Sequence, residues 1–210
     1  IKELEMEEQK EIALFENENN NHILPKPKFL NEEKKLTSAE KGTVMHLILQ
    51  KLSITKEGYN KDQINDFLNN LYYRNIITKM ERESVDINKI LNFVRSDLYN
   101  ELVEAKEIYK EKPFYMTIKA KEIFHQDTEE EILIQGILDL YYIDKNGRLI
   151  LVDYKTDYVE KGNEKELVNK YRSQLELYKR ALEDSLKRKV DKIYIYSVYL
   201  GKMLDFLNFI

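Results

Sequence analysis

The chain contains no cysteine among its 210 residues. That absence removes disulfides, thiolate zinc sites and Cys-ligated iron-sulfur clusters, and it fits a reducing cytoplasm. No apolar run approaches the roughly 20 residues that a membrane-spanning helix needs, and the acidic opening segment is unlike a signal peptide. A soluble, cytoplasmic protein with no membrane partner is expected. Glycine is scarce, at six residues, and none of it builds the phosphate cradle of an ATP motor. No ATP site is therefore expected in this segment. No internal repeat is present.

What remains is long enough to bury a substantial core, as one domain with an appendage. Residues 1–35 are rich in Glu, Asn and Lys, and they contain Asn17-Glu18-Asn19-Asn20-Asn21, Pro25 and Pro27. They read as a connector, partly disordered or helical, with the domain proper at 36–210. Ile1 in place of an initiating Met predicts a piece of a longer polypeptide. Residues 1–40 hold six Lys against ten Glu, enough to account for the whole formal charge of −4. The rest is neutral overall. Within Lys161–Lys192, however, ten basic residues face six acidic ones, which suits either a phosphate-facing surface or a solvated helix of mixed charge.

Thr37-Ser38-Ala39-Glu40 has capping-box spacing and introduces a helix from Gly42 to Leu52 that is apolar on most sides, hence buried. A second helix is predicted from about Asn60, with Ile64, Phe67, Leu68 and Leu71 on one stripe. A third carries Ile87, Ile90, Leu91, Val94, Leu98 and Leu102. Pro113 marks the change to strands, predicted at Phe114–Phe124, Glu131–Ile143 and Arg148–Lys155. One helix over about Glu164–Leu186, a strand at Lys192–Leu200 and a last strand after Gly201 complete the order.

Chemistry concentrates on two of those strands. Alternation sends Leu149, Leu151, Asp153 and Lys155 to one face, so an acid and an amine sit side by side. Asn146-Gly147 between apolar runs is a hairpin signal, and folding there brings Asp139 level with Asp153. A carboxylate on an apolar strand is costly to bury unless it is paired or binds a cation, and a second one nearby calls for a compensating charge. Two carboxylates and an amine around one metal ion suit hydrolysis of a phosphodiester. Further along, Tyr171, Gln174 and Tyr178 are spaced by three and four, which places them on one side of a helix.

Four patterns in fixed order, Gly42-x-x-x-His46, Gly136-x-x-Asp139, Asp153-Tyr154-Lys155-Thr156 and Tyr171-x-x-Gln174-x-x-x-Tyr178, resemble the RecB-type nucleases of the PD-(D/E)XK superfamily. Within them the likeness is to the C-terminal nuclease domain of the AddA family of bacterial helicase-nucleases, over roughly residues 36–205. Leu138 stands where the superfamily's name has Pro, as is common in the RecB-like branch. The lack of cysteine separates the chain from AddB and from CRISPR-associated relatives that hold an iron-sulfur cluster.

The resemblance implies an α/β fold: a restriction-endonuclease-like core with a central mixed β-sheet flanked by helices, plus a helical N-terminal half. It implies a catalytic set of Asp139, Asp153, Lys155 and Gln174. The metal ligands would be His46, Asp139, Asp153 and the backbone carbonyl of Tyr154, and Tyr171 and Tyr178 would contact the substrate. Hard oxygen ligands suit Mg²⁺, and an added imidazole makes Mn²⁺ plausible too. The expected function is a metal-dependent DNA exonuclease domain of an ATP-dependent helicase-nuclease. It would cut unwound strands during double-strand break repair by homologous recombination. The expected partners are DNA, in single-stranded form, the helicase domains of the same polypeptide, and an AddB-like subunit. Tethering to a translocase would make tight DNA binding by a weakly acidic domain unnecessary. The competing readings are a catalytically inactive docking or DNA-guiding module on the same fold, and a stand-alone restriction or CRISPR-associated nuclease.

Overall fold

In the computed structural model, residues 35–121 and 130–206 are described. The expected connector, apart from Lys35, and the end of the first predicted strand lie outside them. The N-terminal half is helical: α1 (Ser38–Lys51), α2 (Lys61–Tyr73), α3 (Lys79–Ser84), α4 (Ile87–Val94) and α5 (Asp97–Glu104). Capping decides several of the boundaries. Thr37, Asn60 and Thr78 each form a full capping box, closing free N–H groups at the starts of α1, α2 and α3. The third predicted helix is two helices, because the Ser96 side chain accepts from the Tyr99 N–H and starts α5 afresh. The short α3 has no buried residue and left no apolar stripe to read.

Among the described residues, five strands follow in spatial order: β1 (Glu107–Lys119), β2 (Glu131–Ile143), β3 (Leu149–Lys155), β4 (Lys192–Ser197) and β5 (Lys202–Asp205). β1–β2, β2–β3 and β4–β5 pair antiparallel, whereas β3 and β4 are parallel. The crossover between those two carries α6 (Glu164–Lys170) and α7 (Arg172–Leu186). This is the mixed sheet flanked by helices that the resemblance implied.

The two faces of the sheet feed two cores. Leu140, Tyr142, Ile150, Val152, Tyr154, Tyr194 and Tyr196 pack with the N-terminal helices. Tyr141, Leu149, Leu151, Ile193 and Ile195 pack with Leu175 and Leu182 of α7. The period-two alternation of strands explains this division, and β3 is buried along its whole length because both faces are covered.

Two strand and helix limits differ from expectation. β1 begins at Glu107, ahead of Pro113 and not after it, with Pro113 opposite Ile137. Since β1 is an edge strand, the missing N–H of Pro113 does not break an inner ladder. The long C-terminal helix is interrupted at Tyr171, which lies between α6 and α7 and is drawn into the functional site.

Candidate metal centre and active site

Each motif glycine has a local reason. At Gly42, a Cβ would come within 2.9 Å of Thr156 Oγ1, so glycine lets α1 lie against the end of β3. His46 is one turn further along the same face of α1 and points at β2, its Nδ1 3.3 Å from Asp139 Oδ1. The other carboxylate oxygen of Asp139 accepts from the Tyr154 N–H at 2.8 Å. Asp139 is thereby held between α1 and β3. Lys110 reinforces α1 by donating to the carbonyls of Leu49 at 2.9 Å and Leu52 at 2.6 Å, at the helix end where carbonyls lack partners.

The β2–β3 register, carried one residue past Leu140↔Val152, sets Asp139 across from Asp153, as the hairpin predicted. Asp153 is 2% exposed and Lys155 is 8% exposed. Their Oδ2 and Nζ atoms lie 3.1 Å apart, yet that carboxylate oxygen has no aligned hydrogen bond. Burial raises the pKa of Asp153, and Asp139 adds to the rise, while Lys155 opposes both. Burial works against the His46 cation, but the neighbouring Asp139 and Asp153 carboxylates outweigh it and its pKa is raised.

Lys155 is held from the far side. Its Nζ donates to Gln174 Oε1 at 2.8 Å and stands 3.8 Å from the centroid of the Tyr171 ring. Gln174 Nε2 in turn donates to Tyr178 Oη at 2.8 Å, and the Tyr171 hydroxyl donates to Asp157. Both tyrosines expected to touch substrate have their hydroxyls engaged within the protein, in a frame that orients Lys155. Tyr178 also meets Phe114 edge-on at 5.5 Å, and Phe114 lies across Gly136, where a Cβ would be 2.6 Å from its Cε1. The glycine of Gly136-x-x-Asp139 thus leaves room for the ring that backs the Lys155 frame. Gly136→Ala will displace Phe114 and destabilise the fold by about 1–3 kcal/mol. Gly136→Ala/Phe114→Leu, which removes the clash, will regain the thermal midpoint. Thermal melts of the two variants check this.

One acid at the centre escaped the sequence reading. Glu111 lies on β1 at the level of Asp139, the single level at which the β1–β2 pairing is interrupted. Its φ is 50°, a left-handed value that costs a non-glycine residue on the order of 1–3 kcal/mol and that clusters at functional sites. One ligand atom each from His46, Glu111 and Asp139 lie within 4.8 Å of one another. Burial, followed by Asp139, pushes the Glu111 pKa up to about 7. Nothing in Lys110-Glu111-Lys112-Pro113 advertised this role, since a backbone twist at a glutamate has no compositional signature.

A hard divalent cation fits this donor set: two carboxylates and an imidazole converge, and a buried Asp153 oxygen beside them lacks an aligned donor. Asp153 is not in the compact trio. Tyr154 enters through its backbone while its ring packs against Phe93 and Tyr196 in the core.

The chain matches the PD-(D/E)XK nuclease superfamily over residues 20–203. It is similar to an ATP-dependent helicase/nuclease subunit of Clostridium novyi (strain NT), 34% identical over 210 residues, covering 96% of this chain and 17% of the relative. The protein of the same name from Thermoanaerobacter sp. (strain X514) is 38% identical over 202 residues, covering 92% and 16%. That from Clostridium kluyveri (strain ATCC 8527) is 40% identical over 187 residues, covering 87% and 15%. The chain therefore spans less than a fifth of the length of these relatives. No helix among the described residues is long and apolar enough to cross a membrane. With the sheet, the helical layers and the family match coinciding over the same residues, the chain belongs to the PD-(D/E)XK nuclease superfamily.

Proposed function

We propose that this chain is a divalent-metal-dependent deoxyribonuclease domain, acting as an exonuclease on single strands delivered by helicase domains of the same polypeptide, in recombinational repair of double-strand breaks. The observation that carries the reading is the convergence of His46, Glu111 and Asp139 beside the buried Asp153–Lys155 pair. The relatives, which are helicase/nuclease subunits by name, supply the helicase context, and the proposed partner is AddB-like.

His46, Asp139 and Asp153 would hold Mg²⁺ or Mn²⁺, with Glu111 as a further ligand and the Tyr154 carbonyl as the proposed backbone donor. When bound, such a cation acidifies the attacking water and offsets negative charge growing on the phosphate. Lys155 supplies a second positive group at a fixed place. Gln174 and Tyr171 keep it from swinging away, so its charge is aimed in advance at the phosphate oxygens or the incoming water. Asp153 balances the largely buried Lys155, and Asp139 fixes the His46 ring through Nδ1.

Labelled single-stranded DNA should be degraded by the full chain in Mg²⁺ or Mn²⁺ and left intact in chelator, with activity lost in Asp153→Ala. Equal cleavage by the native chain and Asp153→Ala would point to a contaminant and favour a non-catalytic docking or DNA-guiding module. The retained Lys155–Gln174–Tyr178 frame weighs against that module, because docking gives no reason to hold an amine so closely.

A further inference from the structure

Tyr158 and Tyr199 are 72% and 42% exposed. Their rings nevertheless pack together, edge to face, with centroids 4.8 Å apart. Lys89 of α4 stands 5.8 Å from the centroid of the Tyr199 ring. The contrast with β4 is informative: Tyr194 and Tyr196 are buried, as a strand inside a covered sheet requires, and only Tyr199 turns outward.

The pair lies just past the carboxyl ends of the two parallel strands. Lys155 and Ser197 close the β3–β4 ladder, and the Val198 N–H donates to the Lys155 carbonyl at 2.9 Å. Tyr158 follows Lys155 by three residues, and Tyr199 follows Ser197 by two. Carboxyl strand ends are where open α/β sheets take their ligands. Both segments are fixed in place. Thr156 abuts Gly42, and Gly201, with a φ of 67°, packs so tightly on Asn92 of α4 that a Cβ would sit 3.2 Å from the Asn92 Cβ. The loop that carries Tyr199 is therefore fastened to the helix that carries Lys89.

We propose that Tyr158, Tyr199 and Lys89 form a stacking subsite for unpaired bases of the DNA strand whose backbone occupies the metal centre. This rests on the nuclease reading above and adds to it how a single strand is preferred. Bases stack on exposed tyrosines whatever their sequence, but only when they are unpaired, and a neighbouring lysine suits the phosphates between them. Three residues of chain reach at most about 10 Å. The subsite therefore meets bases within the first few nucleotides of the scissile bond.

The test uses the full chain, Mn²⁺ and labelled single-stranded oligonucleotides in which one abasic position is moved along the strand. With the native chain, one abasic position within the first few nucleotides of the cut should raise KM about tenfold and leave kcat unchanged, and more distant ones should not. Tyr158→Ala and Tyr199→Ala should each raise KM about tenfold on the intact strand and no longer respond to the abasic position. Tyr158→Phe should behave as native. Lys89→Ala should lower the salt dependence of binding by about one phosphate contact. The same binding measurements in the Asp153→Ala background separate the two readings. If the native chain never cleaves but the tyrosine variants still lose oligonucleotide affinity, the nuclease reading falls and the stacking subsite stands. Native affinity and native abasic sensitivity in both tyrosine variants would overturn the subsite, and would assign the exposed rings to a protein surface instead.

Discussion

Lys155→Gln is expected to give a folded protein that takes up Mg²⁺ or Mn²⁺ at least as tightly as the native chain but cleaves DNA about 10²- to 10³-fold more slowly. Glutamine can keep a hydrogen bond to Gln174, so the frame around position 155 survives while the charge is lost. The Asp153 carboxylate, 2% exposed, then has lost the cation 3.1 Å away. Leaving a buried charge unpaired is costly, about 3–5 kcal/mol in the limit, and protonation of Asp153 recovers part of that. A divalent cation recovers more. The metal-free variant should therefore melt well below the native chain, and the gap should narrow when Mn²⁺ is added. Asp153→Ala should give the opposite pairing, with weak metal uptake and no cleavage. Calorimetric metal titration alongside single-turnover cleavage distinguishes the two. If Lys155→Gln lost metal affinity and turnover together, Lys155 would be a structural support of the metal site and not a separate electrostatic element.

Much of this centre was legible before the fold was known, because its parts obey local rules. Thr37 and Glu40 announced the start of α1, and the Asn146-Gly147 turn set Asp139 across from Asp153. Strand alternation placed Asp153 and Lys155 on one side. Helical spacing linked Gln174 to Tyr178 correctly. The failures share a physical cause. Tyr171 ends one helix so that its ring can cover Lys155, and no local propensity in Lys170-Tyr171-Arg172 competes with that tertiary contact. Ser96 divides a continuous apolar stripe with a single side-chain cap. Glu111 reaches the centre through a left-handed residue inside an edge strand, a conformation set by the surrounding packing and not by neighbours in sequence. Prediction from periodicity alone is blind to such residues, and they collect where function bends the backbone.

Under the proposed metal-dependent reading, Glu111 should also make the domain's stability and its metal affinity depend on pH in opposite senses. Its pKa rises from 4.5 to about 7, chiefly through burial, and Asp153 and His46 are displaced in the same direction. A group whose folded-state pKa is raised favours the fold fully below its unfolded value, and that contribution disappears as the pH climbs through the folded value. Without metal, the thermal midpoint should therefore fall between about pH 4.5 and just above pH 7. Acids shifted the other way, such as Asp144 and Asp157, exert their effect below about pH 4 and leave this window alone. Allowing for partial solvent screening at Glu111, its share is about 1–2 kcal/mol, or roughly 4 °C in a domain of this size. Glu111→Gln should raise the metal-free midpoint at pH 8 by about that amount and flatten the pH dependence. Binding of a cation reverses the preference, since ligands must shed protons to coordinate. With a pKa of about 7 at Glu111, Mn²⁺ affinity in the native chain should climb about tenfold from pH 6 to pH 8. It should climb less in Glu111→Gln, where His46 still sheds its proton in this range, and the affinity of that variant should also be lower at pH 8. Melting curves and Mn²⁺ titrations at these pH values test both halves, and an unchanged midpoint in Glu111→Gln would remove this residue from the proton-linked cluster. In the proposed reading, the carboxylates that weaken the metal-free fold at neutral pH would be the ones to hold a cation, so gains in metal-free stability at Glu111 should be matched by losses in cleavage.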